Sequence, residues 1–187
     1  NPSEGKSVTI ANLATAMSET DKKILLIDAD MRKPVQHKNF HLSNKIGLSN
    51  VITDSKLLDE AMHKQVIGNL DILTAGTIPP NPSELLASKQ MAELLDKLKT
   101  QYDMILMDCA PINIVSDVAG LASSIAGVVM VVHYGITTFA ELEDAQKQLG
   151  LANCNILGFV LNEVQHKHGT GYYSNYKYKY RYKYNYN

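Results

Sequence analysis

The chain has 187 residues, 45% hydrophobic and 20% charged, with a formal net charge of −1; this gives one sizeable core and no obvious room for a second. The charge is unevenly placed: residues 172–187 hold Lys177, Lys179, Arg181 and Lys183 and no acid, so the rest carries −5, which argues against a duplex DNA binder and leaves nucleic acid off the list of expected partners. Two cysteines without metal or disulfide spacing, Cys109 and Cys154, suit a reducing compartment, and the longest apolar run, residues 126–132, is too short to span a bilayer.

In chain order, the first seven residues read Asn1-Pro2-Ser3-Glu4-Gly5-Lys6-Ser7 and open a helical pattern over residues 6–18. Short apolar runs then recur at residues 24–27, 70–73, 104–107, 128–132 and 156–161. Continuous rather than alternating runs suit strands buried on both faces of a parallel sheet. Between them, helices are expected over residues 56–65, 88–100, 117–124 and 138–149, and Asn81-Pro82-Ser83-Glu84 marks the start of another. Strand–helix alternation predicts a doubly wound, mostly parallel α/β fold. From Gly169 onward tyrosine alternates with Lys, Arg or Asn and no aliphatic residue follows; residues 1–168 are therefore expected to fold and 169–187 to form a flexible tail.

The opening matches the final residues of G-x-x-x-x-G-K-[ST], the phosphate-binding P-loop. Gly5 permits the tight turn that aims backbone amides at phosphate, Lys6 reaches the β- and γ-phosphates, and Ser7 offers a hydroxyl to Mg²⁺. Two later apolar runs end in aspartate: Ile24-Leu25-Leu26-Ile27 leads into Asp28-Ala29-Asp30, and Met104-Ile105-Leu106-Met107 into Asp108. In a parallel sheet those ends lie along one edge, so both carboxylates are expected to converge on the metal and γ-phosphate.

Gly5-Lys6-Ser7, the segment Asp28-Ala29-Asp30-Met31-Arg32-Lys33-Pro34, and Pro79-Pro80-Asn81-Pro82-Ser83-Glu84 together resemble the bacterial tyrosine kinases of capsule and exopolysaccharide synthesis, a branch of the P-loop superfamily that includes the cell-division and chromosome-partitioning ATPases. The resemblance implies ATP and Mg²⁺ as co-substrate and cofactor. It assigns nucleotide binding to Ser3, Glu4, Gly5, Lys6, Ser7, Val8 and, at the adenine, Asn162. Metal binding falls to Ser7, Asp28 and Asp108, and catalysis to Lys6, Asp28 and Asp30. A tyrosine hydroxyl titrates at about 10, so a nearby carboxylate is expected to take its proton, Asp28 first and Asp30 second. The resemblance also implies a transmembrane polysaccharide co-polymerase as activator, a cognate tyrosine phosphatase, a homo-oligomeric ring, and a peripheral place at the inner face of the plasma membrane. The sequence departs from the family at Ser3, where Gly is usual, and at Cys109-Ala110, where Thr-Pro is usual. A strand feeding the P-loop is expected upstream of Asn1.

Tyr172, Tyr173, Tyr176, Tyr178, Tyr180, Tyr182, Tyr184 and Tyr186 are the expected phospho-acceptors. Each phosphate adds about −1.5 to −2 charge, so two or three cancel or reverse the tail's charge. The competing reading is an ATPase switch of the cell-division type with a non-catalytic tail.

Overall fold

The computed structural model describes residues 3–112 and 117–164. Helix α1 (Lys6–Met17) leaves the glycine turn directly and is followed by strand β1 (Ile24–Asp28). Short helices α2 (Gln36–Asn39), α3 (Leu48–Thr53) and α4 (Leu58–Ala61) come next, then β2 (Met62–Ile67) and β3 (Leu70–Leu73). Helices α5 (Pro82–Leu86) and α6 (Lys89–Lys99) lead to β4 (Met104–Asp108). Helix α7 (Asp117–Leu121), β5 (Val128–His133), α8 (Phe139–Leu151) and β6 (Ile156–Asn162) follow.

Strand β1 runs parallel to both neighbours, β3 and β4, in the order β2-β3-β1-β4, with β2 antiparallel at the edge. All five of its residues are buried. Its period-2 side chains feed two cores. Leu25 and Ile27 pack with Leu48 and Val51 of α3 and Met91, Leu95 and Leu98 of α6. Ile24 and Leu26 pack with Ala14 of α1. One strand thus serves helices on both faces, which is why its run is continuously apolar; each such side chain contributes about 1.5–3 kcal/mol by leaving water. Helix α6 presents Met91, Leu94, Leu95 and Leu98 as a single stripe at helical spacing, and the Ser88 hydroxyl caps its start by accepting from the Met91 amide at 3.2 Å.

Strands β5 and β6 pair in parallel as a separate two-stranded sheet. Among the described residues, β4 and β5 each keep an edge without a strand partner. Burial also differs between the strands. Met104 is 42% exposed, and Leu157, Phe159 and Leu161 of β6 are about half exposed, so the expectation of two-sided burial holds for β1 and not for these strands.

The helix expected over residues 56–65 stops at Ala61, and β2 begins at once. Gly68-Asn69 separates β2 from β3 by two residues, a hairpin signal. The pairing is bulged at Gln65, which has φ 51° and donates its amide to Asp71 Oδ1 at 2.7 Å. Helix α5 starts as expected with Pro82 in its first turn. The Asn81 side chain, however, donates to Glu84 Oε2 (2.6 Å) instead of accepting from the helix.

Candidate active site

Adjacent parallel strands bring the two aspartates together: Asp28 and Asp108 are register partners at the ends of β1 and β4. Both are buried. Asp28 Oδ2 accepts from the Val35 and Gln36 amides at 3.0 and 2.9 Å, while its Oδ1 is buried with no hydrogen-bond partner. Burial raises the Asp28 carboxyl to about 7 against the pull of these amides, and the charges of Asp108 and Asp30 push the same way. Burial also raises Asp108, opposed by hydrogen bonds from Ser7 and Gln36 and by the charge of Lys6. Lys6, Ser7 and both strand-end carboxylates therefore act on one another. Asp30 lies half-buried beside them, with Oδ1 accepting from the Arg32 and Lys33 amides at 3.2 and 2.9 Å.

Sequence reasoning missed Gln36, which holds this arrangement. Its side chain is fully buried, and Nε2 donates to Asp108 Oδ2 (2.6 Å) and to the Ser7 carbonyl (3.0 Å). Asn39 Nδ2 donates to its Oε1 at 3.1 Å. One residue thus ties α1, β1 and β4 around the carboxylate pair; an amide between two buried acids leaves no periodicity in the sequence.

The opposite wall comes from the two-stranded sheet. Asn162, ending β6, donates from Nδ2 to the Glu4 carbonyl at 3.0 Å, and Thr137 Oγ1 donates to Glu4 Oε1 at 2.7 Å. Gly5 has φ 81°, and a Cβ there would lie 2.1 Å from Asn162 Nδ2. Glycine is required both for the left-handed turn and for this close approach. Ser3, where the family pattern has glycine, also takes a positive φ of 61°. Val8 lies on the first turn of α1 and is 58% exposed. Cys109 follows Asp108; burial and the surrounding carboxylates push its thiol up to about 12, so it stays protonated at neutral pH.

A magnesium ion fits these donors. Among the described residues no cluster of three or more His, Cys, Asp or Glu could enclose a metal by itself. A hydroxyl and two carboxylates, one with an orphaned buried oxygen, match the Mg²⁺ habit of taking one or two carboxylates and completing its shell with water and substrate phosphate. The tyrosine-rich segment and all of its candidate acceptors lie outside the described residues. No helix among the described residues is long and apolar enough to cross a membrane.

A family model described as an AAA domain matches residues 3–149. Tyrosine-protein kinase YwqD of Bacillus subtilis (strain 168) is 41% identical over 174 residues, which cover 92% of this chain and 73% of that protein. The chain belongs to the bacterial tyrosine-protein kinases. This kinase domain also superposes on the crystal structure of the chimerical protein CapA2B2 with a TM-score of 0.84 and 36% identity, over 88% of this chain and 73% of that one. The putative tyrosine-protein kinase EpsB of Ralstonia nicotianae (strain ATCC BAA-1114 / GMI1000) is 38% identical over 176 residues, or 94% of this chain; the kinase domain spans only 23% of that longer relative. It is an enzyme on a nucleotide-binding P-loop fold.

Proposed function

We propose that residues 1–168 transfer the γ-phosphoryl group of ATP to tyrosines of the 169–187 tail of a second copy, with Mg²⁺ as cofactor. The observation that carries this reading is the in-register pair Asp28 and Asp108 beside the Lys6–Ser7 turn, in a chain whose relatives are tyrosine-protein kinases. Phosphoryl transfer demands positioning and charge neutralisation more than covalent help. Lys6 neutralises the β- and γ-phosphates, the Ser3–Ser7 turn with Val8 cradles them, and Asn162 flanks the adenine. Ser7, Asp28 and Asp108 would hold the magnesium ion, which when bound withdraws charge from the phosphate oxygens.

A tyrosine hydroxyl titrates near 10 in water, so a carboxylate must take its proton as the new O–P bond forms and ADP leaves. Asp28 takes that role where Ser7 and Asp108 hold the ion without it, its Oδ1 being the carboxylate oxygen left without a partner; where Asp28 is itself a ligand, Asp30 takes it. Asp30, half-buried and nearer solvent, meets the incoming hydroxyl. The acceptors are the tyrosines at 172, 173, 176, 178, 180, 182, 184 and 186. Two or three phosphates cancel or reverse the basic tail's charge and release it from acidic surface.

The same reading extends to the cell. The domain would act at the inner face of the plasma membrane, anchored and activated by a transmembrane polysaccharide co-polymerase, oligomerising as a ring and reset by a tyrosine phosphatase. Its output would be control of capsule or exopolysaccharide synthesis. The deciding experiment is incubation with γ-labelled ATP and Mg²⁺, followed by mapping of the label. Label on tail tyrosines is expected, falling about 10²–10³-fold in Lys6→Ala. Free phosphate without labelled tyrosine would overturn the kinase reading in favour of an ATPase switch.

A further inference from the structure

Arg32 belongs to the segment that carries Asp28 and Asp30, and its guanidinium reaches to helices α5 and α7. Its guanidinium forks onto Asp117, the first residue of α7, with Nε at 3.3 Å from Oδ2 and Nη2 at 3.4 Å from Oδ1. Nη2 also donates to Ser83 Oγ at 2.8 Å, and Ser83 in turn donates to Asp117 Oδ1. The Asp117 side chain is 1% exposed and that of Arg32 39%. Helices α5 and α7, which supply Ser83 and Asp117, are pressed together: a Cβ on Gly120 would lie 2.7 Å from Ala87 Cβ. The acid is therefore a fixed, dry anchor, and the arginine is the part that reaches to it.

What the pair joins is informative. Arg32 lies two residues after Asp30 and Asp117 nine residues after Asp108, so the bridge links the segments that follow the two carboxylate-bearing strands. Arg32's own amide, with that of Lys33, holds Asp30 Oδ1, so the pull of Asp117 on the guanidinium is transmitted to the Asp30 carboxylate. We propose that Asp117, Arg32 and Ser83 form a latch that fixes the 28–34 segment and orients Asp30 for the incoming hydroxyl, making Arg32 and Asp117 positioning residues of the transfer step. This rests on the role given to Asp30 above. A planar guanidinium spans two partners at once where an ammonium does not, so lysine is a poor substitute for arginine here.

The test uses the full chain, saturating Mg²⁺–ATP and a synthetic peptide copying residues 172–187 as acceptor. Arg32→Ala and Asp117→Asn are each expected to lower kcat by roughly tenfold or more with the KM for ATP nearly unchanged. The double variant should be no slower than the slower single one, because both break one contact. In an Asp30→Asn background the Arg32→Ala effect should largely vanish, and low, non-denaturing guanidinium should restore part of the rate to Arg32→Ala alone. Arg32→Lys keeps the charge and serves if the alanine variant fails to fold; it too should lose kcat rather than ATP affinity. If Asp30→Asn leaves the rate unchanged, the role of Asp30 falls and the latch with it. If Asp30→Asn slows transfer but Arg32 substitution still multiplies the loss in full, the latch alone is overturned.

Discussion

The two sheets treat their side chains differently. Ile24, Leu25, Leu26 and Ile27 of β1 are all 0% exposed, whereas Leu157, Phe159 and Leu161 of β6 are about half exposed. The four-stranded sheet carries the charges of the site, Asp28 and Asp108. The two-stranded sheet carries the neutral groups, Asn162 and Thr137, that pin Glu4 and the glycine turn. The carboxylates thus ride on the closely packed sheet, where geometry is held to small tolerances. The phosphate turn depends on hydrogen bonds from strands with less of their surface buried.

The largest expected effect separates the sheets by stability. Leu26→Ala should cost about 2–5 kcal/mol, as deletion of a buried leucine does, whereas Val129→Ala on β5, 50% exposed, should stay within about 1 kcal/mol. Equilibrium urea unfolding reads both, and equal losses would erase the distinction. Next, Asn162→Ala removes the bond to the Glu4 carbonyl. Losing a net hydrogen bond of about 0.5–1.5 kcal/mol should weaken nucleotide binding some 2–12-fold by calorimetry while leaving Tm nearly unchanged. A shift in Tm without a change in affinity would mean that the two-stranded sheet supports the fold rather than the turn. The smallest effect is at Ser3. Its left-handed backbone costs roughly 1 kcal/mol, partly offset in glycine by a freer unfolded chain, so Ser3→Gly should add about 0.5 kcal/mol in the same unfolding assay.

Much of the four-stranded sheet was legible because its signals are local. A continuous apolar run ending in aspartate, Ile24–Ile27 before Asp28 and Met104–Met107 before Asp108, is what a strand that delivers an acid to the end of a parallel sheet produces. The P-loop turn, helix α6 and the alternation of β1, β3 and β4 with helices were legible for the same reason. What escaped was set by contacts between distant segments. Gln36, Asp117 and Thr137 owe their positions to partners 29 to 133 residues away, and no spacing rule reports such pairings. Residues 62–65 of the strand Met62–Ile67 carry a helical pattern in the sequence although Gly68-Asn69 marks a hairpin, because the residues before them, Leu58–Ala61, do form a helix. The exposure of β4 and β6 was invisible for a different reason: an apolar run does not say whether both of its faces are covered, and in β6 every second residue is exposed.

The claim that the lysine turn and the two strand-end carboxylates serve one magnesium nucleotide is tested most directly by calorimetric titration of ADP into the wild type, Lys6→Ala and Asp108→Asn, with Mg²⁺ and with EDTA. Lys6→Ala should bind ADP more weakly under both conditions. Asp108→Asn should match the wild type in EDTA and fall about 10–100-fold behind it when Mg²⁺ is present, the usual loss for disturbing a metal's surroundings. Wild-type affinity for Mg²⁺–ADP in Asp108→Asn would contradict the account.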